Sequence, residues 1–189
     1  MLSKFQYMPS WIVLLAKIYA RMGEIKEASR LYDEMIKQGK NLTSLSAIDR
    51  NTNDDQANIT LIKGEINLAK GNVAEAIETF ESLFQWHLQN TYIMESLAFA
   101  YLRAGLLKEA AQKYEEIISF SQLGYERQEI WILAHYELGQ IYRDLGSMEK
   151  AKEYYAKFLD LWKDADRDIP ILQKARVEYE KLRLGSDRL

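Results

Sequence analysis

Cysteine is absent from this 189-residue chain, and histidine occurs only as His87 and His135. The lack of cysteine excludes disulfides, thiolate nucleophiles and zinc sites built on thiolate ligands. Both histidines fall within helical patterns and neither has a candidate nucleophile beside it, so we interpret them as packing or surface residues. We therefore predict no enzyme activity and no catalytic residue, cofactor-binding residue, cofactor or metal site.

An excess of basic residues and a long apolar run are also lacking. The chain has 25 basic and 28 acidic residues, a net charge of −3, and no basic stripe that could neutralise a phosphate backbone. No stretch approaches the roughly 20 apolar residues of a membrane span. The run from Trp11 to Ala16 is too short for a signal peptide and lacks a cleavage site. We expect a cytoplasmic protein with neither nucleic acid nor membrane as partner.

Proline is scarce, since only Pro9 and Pro170 occur and everything between them is open to helix formation. Four glycines in this stretch are each followed by alanine five residues later and by an aromatic residue nine residues later. The four sets are Gly23/Ala28/Tyr32, Gly71/Ala76/Phe80, Gly105/Ala110/Tyr114 and Gly146/Ala151/Tyr155. Such internal self-similarity is typical of repeat architectures, whose units bury their apolar faces against one another.

The base spacing between successive glycines of this set is 34 residues, and two of the three spacings are longer. Gly71 and Gly105 are 34 residues apart, whereas Gly23 and Gly71 are 48 apart, and the excess falls in a polar series that predicts an exposed loop over 40–56. Loops of this length are uncommon unless functional or mobile, and both readings stay open. Gly105 and Gly146 are 41 apart, seven more than the base spacing, which is about two helical turns. This predicts longer helices on both sides of Gly124.

The C-terminal part ends in a predicted capping helix. Asp164, Asp166 and Asp168 resemble the start of a calcium loop, but Ile169 stands where glycine is needed and Ala175 where glutamate is needed. We therefore interpret the acidic residues as a solvated turn. The following segment, 169–184, has one apolar and one polar side, as the end of a repeat array requires.

The 34-residue period, with Gly or Ala at its eighth place and Ala at its twentieth, resembles the tetratricopeptide repeat. The resemblance implies an all-α fold, a right-handed α-solenoid of about nine helices in antiparallel pairs, and one domain over 1–189. The repeats lie at about 9–39, 57–90, 91–121 and 125–163. The second repeat departs from the pattern at Lys63 and Asn67.

The resemblance also predicts a concave groove lined by the first helix of each repeat. Its predicted residues are Leu61, Ile62, Glu65, Tyr92, Glu95, Phe99, Leu102, Leu133, Tyr136, Glu137 and Gln140. The apolar members favour an apolar protein or peptide segment and the acids favour basic flanks. The groove lacks the lysine and asparagine pattern by which some members of the family hold the acidic tails of chaperones. Coverage of these residues by a terminal helix or a second protomer is the alternative.

A looser resemblance concerns Gly124-Tyr125-Glu126 through Trp162 to Asp166, which is similar to repeat-containing tails that follow kinase or cyclase domains in bacterial signalling proteins. It implies an alternative function, in which the repeats self-associate as a homo-oligomer or form the regulatory tail of a larger signalling protein. In that case the chain is a C-terminal fragment.

Overall fold

The computed structural model describes residues 10–43, 52–120 and 128–186, and these residues form nine helices without any strand. The helices are α1 (Ser10–Arg21), α2 (Ile25–Thr43), α3 (Thr52–Ala69), α4 (Val73–Trp86), α5 (Thr91–Arg103), α6 (Leu107–Ser119), α7 (Gln128–Asp144), α8 (Met148–Leu161) and α9 (Pro170–Ser186). The predicted all-α fold of helix pairs is confirmed.

The first helix of each pair ends at a glycine in the left-handed region. These are Gly23, Gly71, Gly105 and Gly146, with φ of 81°, 88°, 75° and 78°. At the end of α7 the amide of Gly146 donates to the carbonyl of Arg143 at 2.9 Å, and the amide of Ser147 donates to that of Tyr142 at 2.8 Å. These two bonds form a Schellman motif, which satisfies carbonyls that the helix end leaves unpaired and reverses the chain.

The two helices of a pair approach each other closely at the predicted small residues. The alanines at these places are buried completely, namely Ala16, Ala28, Ala76, Ala98, Ala110 and Ala151. Gly64 of α3 lies directly against the ring of Phe80 in α4, and a Cβ added to Gly139 of α7 would come within 2.8 Å of the Tyr155 ring in α8. A larger side chain would therefore push the helices apart, as predicted.

The contacts group the chain into two compact units, residues 1–88 and 89–189. In the first unit, Ile12 and Ala16 of α1 pack with Leu31 and Met35 of α2, and α3 adds Ile62 to the same cluster. The single domain over 1–189 stays a prediction.

In the second unit, the last helix packs against the fourth repeat. Tyr155 and Phe158 of α8 form a buried cluster with Leu172 and Ala175 of α9. The helix predicted over 169–184 is thus observed as Pro170–Ser186, and it covers apolar surface of the preceding helix pair.

The polar segment 40–56 contains more helix than predicted. Helix α2 continues to Thr43 and α3 begins at Thr52, so the prediction of a loop over the whole segment is wrong. Residues 44–51 lie outside the described residues. Asparagine, aspartate and threonine cost at most about 0.7 kcal/mol per residue relative to alanine in a helix, so a polar sequence shifts a helix boundary without preventing the helix.

The seven extra residues before Gly146 lengthen one helix only. Helix α7 has 17 residues against 13 in α5, but α6 also has 13. The prediction that the helices on both sides of Gly124 are longer than the rest is wrong, because α6 has 13 residues and α7, although longer than α5, is shorter than α2 and α3 with 19 and 18. Residues 121–127, between these helices, lie outside the described residues.

Replacing Gly146 by alanine is expected to lower the free energy of unfolding by about 1 kcal/mol, because the left-handed conformation is unfavourable for residues with a Cβ. No atom lies within 4 Å of the added Cβ, so the loss comes from the backbone alone. Gly146→Asn is the matched control, since asparagine enters this region more readily and loses less. Urea denaturation measures both variants, and equal losses would contradict this account of the turn.

Candidate functional site

Four of the eleven predicted groove residues are buried and are not available to a partner. Leu61 is 2% exposed, Ile62 0%, Glu65 1% and Tyr136 7%. The prediction that these four side chains line an open groove is therefore wrong. For three of them the neighbouring residues give the physical reason.

Ile62 and Glu65 join α3 to α1. Ile62 belongs to the apolar cluster of the first unit. The Glu65 carboxylate accepts from Arg21 Nε at 3.1 Å and from Arg21 Nη2 at 2.9 Å, and Lys17 Nζ lies 3.6 Å from its Oε1. Because the carboxylate is paired twice inside the fold, it is not an acid that selects basic flanks of a peptide.

Tyr136 is covered by the C-terminal helices of the second unit. Its ring meets that of Tyr155 edge to face at 5.9 Å and that of Phe158 at 5.4 Å, in a cluster that includes Leu172 of α9. Burial raises the pKa of the Tyr136 hydroxyl. Helix α9 contributes Leu172 and Ala175 to the cluster in which Tyr136 is buried.

The seven remaining groove residues are partly exposed, and all lie on two helices of the second unit. We call them the α5/α7 face, which comprises Tyr92, Glu95, Phe99 and Leu102 of α5 with Leu133, Glu137 and Gln140 of α7. Spacings of three and four residues place each set along one side of its helix. Helix α5 contacts α7 directly.

Local hydrogen bonds position this face. The Asn90 side chain caps α5 by accepting from the amides of Tyr92 and Ile93 at 3.0 and 3.3 Å. On α7, Gln140 Nε2 donates to Glu137 Oε2 at 3.2 Å. The cap fixes the start of α5 and so the direction of its exposed stripe.

Beside this face, Arg143 joins α7 to α9. Its guanidinium donates to Glu178 Oε2 at 2.9 Å and to Asp144 Oδ1 at 2.8 Å. Hydrogen bonds from Lys181 and Arg143 lower the pKa of the Glu178 carboxyl. Arg143 is thus engaged by two acids of its own unit.

Aromatic residues on α7 and α8 fill the interface with α6. Trp131 Nε1 donates to the Ile118 carbonyl at 3.1 Å, and its ring meets that of His135 edge to face at 4.7 Å. His135 Nδ1 lies 2.9 Å from the Trp131 carbonyl, and burial lowers the pKa of this histidine. Burial thus favours the neutral imidazole, and the ring contact with Trp131 confirms the interpretation of His135 as a packing residue.

A tyrosine pair extends this interface. The rings of Tyr142 and Tyr154 stack at 5.5 Å, both hydroxyls donate to Glu115 Oε1, and Lys150 Nζ lies 4.6 Å from the Tyr142 ring centroid. Burial, together with Glu115, raises the pKa of each tyrosine to about 12. Both phenols thus remain donors at neutral pH. The sequence predicted Tyr142 as a packing residue but not its partner Glu115, because only the fold brings them together.

The described residues contain no group of three or more acids and histidines arranged to hold a metal ion. In the same part of the chain, no helix combines the length and apolarity needed to cross a membrane. His87 forms the C-terminal cap of α4, with its amide donating to the carbonyls of Leu83 and Phe84.

Replacing Glu65 by glutamine is expected to lower the free energy of unfolding by about 3 kcal/mol, because it removes the buried carboxylate that pairs with Lys17 and Arg21. The matched control is Glu78→Gln, an exposed position on α4, where a change below about 0.5 kcal/mol is expected. Urea denaturation measures both variants. A loss at Glu65 no larger than that at Glu78 would contradict the structural role of the pair.

Comparisons with known proteins agree with this architecture. Two family models, both described as tetratricopeptide repeat, match residues 13–86 and 132–161. A search of curated proteins finds no significant match.

Three solved structures illustrate the similarity of fold. A protein from Podosopora anserina, described as a kinesin light chain with nearly identical TPR-like repeats, is 18% identical with a TM-score of 0.63 over 94% of this chain and 86% of its own. BtubC from P. vanneervenii is 17% identical with a TM-score of 0.62, over 94% and 76%. A tetratricopeptide repeat protein from Parabacteroides merdae is 17% identical with a TM-score of 0.57, over 94% and 60%.

At these identities the structures show the fold alone, and the family matches add the repeat identity. Both matched ranges coincide with helix pairs that end their first helix at a glycine and cross at small residues. The chain belongs to the tetratricopeptide repeat family, whose fold is a scaffold for protein–protein interaction.

Proposed function

We propose that the chain is a non-enzymatic interaction module whose second unit binds an apolar peptide segment with basic flanks on the α5/α7 face. One observation about α5 carries the proposal. Its residues Ile93, Met94 and Leu97 are buried, whereas Tyr92 and Phe99 remain partly exposed along the other side. A docked apolar segment would remove these rings from water, which contributes about 25 cal/mol for each Å² buried.

The charge of the face supports the choice of basic flanks. The seven residues of the α5/α7 face include two acids, Glu95 and Glu137, and no base. Both carboxylates lie at the partly exposed surface, where they attract lysine or arginine and repel acidic segments. Glu65, by contrast, is 1% exposed and pairs with Arg21 and Lys17 inside the first unit.

Self-association is a second candidate function, and a different surface supports it. Helix α1 of the first unit exposes four large apolar side chains, Trp11, Leu14, Ile18 and, just beyond its end, Met22. Because these residues lie on another helix of another unit, peptide binding and self-association can be tested separately.

The peptide proposal is tested by fluorescence anisotropy with two labelled peptides of identical leucine and phenylalanine centre, one with lysine and arginine flanks and one with glutamate flanks. The basic peptide is expected to bind more tightly, and its affinity should fall with added salt. Phe99→Ala is expected to weaken it at least tenfold because a central aromatic anchor is lost. Circular dichroism confirms that the variant is folded.

Charge reversal provides the matched control. Glu95→Lys and Glu137→Lys should each weaken the basic peptide about two- to fivefold and strengthen the acidic one. Glu109→Lys makes the same charge change at an exposed position of α6, outside the α5/α7 face, and should alter neither affinity. Equal affinity for the two peptides, or an unchanged affinity in Phe99→Ala, would overturn the proposal.

A further inference from the structure

An apolar stripe runs along the outer side of α1. Its members are Trp11, Leu14, Ile18 and Met22, whose exposed fractions are 59%, 46%, 44% and 70%. Spacings of three and four residues place them on one side of the helix. We call them the α1 stripe. Isolated exposed apolar residues are ordinary on a protein surface, but a continuous stripe of this kind marks an interaction surface.

The equivalent positions in the second repeat show what the outer side of α1 is suited to contact. In α3 the places equivalent to Trp11, Leu14 and Ile18 hold Ile59, Ile62 and Ile66. These three isoleucines pack against the cluster formed by α1 and α2, and Ile62 and Ile66 are buried.

The fourth repeat shows this arrangement in part. In α7 the places equivalent to Trp11 and Ile18 hold Ala134 and Ile141, which are 1% and 0% exposed, whereas the place equivalent to Leu14 holds Glu137, which is partly exposed. Helix α7 packs on α6. The α1 stripe therefore occupies the places at which a helix of this fold stacks on another helix pair.

The charges around the stripe favour contact between two identical surfaces. Helix α1 contains no acidic residue, and its two cations, Lys17 and Arg21, both bind Glu65 inside the first unit. The stripe itself is uncharged. Two copies can therefore bring their α1 helices together without repulsion between like charges.

The outer side of α9 is poorly suited to pack against the α1 stripe of another copy. It exposes Val177 and Leu184, but Lys174, Glu180 and Lys181 are exposed around them. In head-to-tail stacking the α1 stripe of one copy would pack on α9 of the next. This would remove these charges from water and place them against apolar side chains, which is costly. A contact between two α1 stripes avoids that cost. It also forms a closed dimer rather than an open chain of copies, because both copies contribute the same patch.

We propose that the α1 stripe is the interface of a two-fold symmetric homodimer, in which the α1 helices of two copies pack antiparallel. In this arrangement Trp11 of one copy faces Met22 of the other, and Leu14 faces Ile18. The pairing of an indole with a thioether is favourable. The proposal is independent of peptide binding, because the α5/α7 face belongs to the other unit.

Sedimentation of the full chain from micromolar to millimolar concentration tests the proposal. The unaltered chain is expected to pass from monomer to dimer, and Ile18→Glu should raise the dissociation constant at least tenfold, because it places two like charges in the interface. Val177→Glu introduces the same side chain at an equally exposed apolar position of α9 and should leave the dimer unchanged. Circular dichroism checks that both variants are folded.

Cysteine cross-linking tests the geometry, since the chain has no cysteine of its own. A mixture of Leu14→Cys and Ile18→Cys chains should form disulfide-linked heterodimers faster than either variant links to itself. A chain that stays monomeric at all concentrations, whether the stripe is covered by its own N-terminal residues or reserved for another protein, would overturn the proposal. A dimer that persists in Ile18→Glu, or faster linkage of like variants, would overturn it as well.

Discussion

The close crossing of the two helices in each pair is the constraint on which the rest of this structure depends. Gly64 and Gly139 leave room for the rings of Phe80 and Tyr155, which lie where a Cβ would otherwise be. Both rings are fully buried and fill the space between their helices. The glycine at the end of the first helix, with its positive φ, then reverses the chain so that the second helix packs against the first.

A helix pair built in this way cannot bury its whole surface, and the way each surface is covered decides which residues remain for a partner. In the first unit α3 meets α1 through Ile62 and Glu65. In the second unit α8 and α9 cover Tyr136. Among the described residues, the α1 stripe stays exposed and the α5/α7 face stays partly exposed.

The features of the fold that depend on local sterics could be predicted from the sequence. Glycine is required where φ is positive, and only a small residue fits at the crossing, so the four turns and the helix pairs were evident from spacing alone. Helix limits near Thr43 and Thr52 were not, because the low helix propensity of polar residues is a weak signal.

The candidate site was predicted less well because a repeat pattern assigns the same role to equivalent places in every repeat. Lys17 and Glu65 occupy equivalent places in neighbouring repeats, and Arg21 follows Lys17 by one helical turn, so the opposite charges were a signal that the assignment of Glu65 to the groove did not use. That they meet within 3.6 Å depends on the distance between α1 and α3, which the sequence does not specify. The burial of Tyr136 likewise depends on where α9 docks.

Nuclear magnetic resonance of the full 22.1 kDa chain, titrated with the basic-flanked apolar peptide, tests the central claim most directly. The claim is that the partly exposed face of the second unit receives the partner. It predicts that amide shifts change along α5 and α7 and stay constant along α1 and α3. Changes confined to the first unit, or none at saturating peptide, would contradict it.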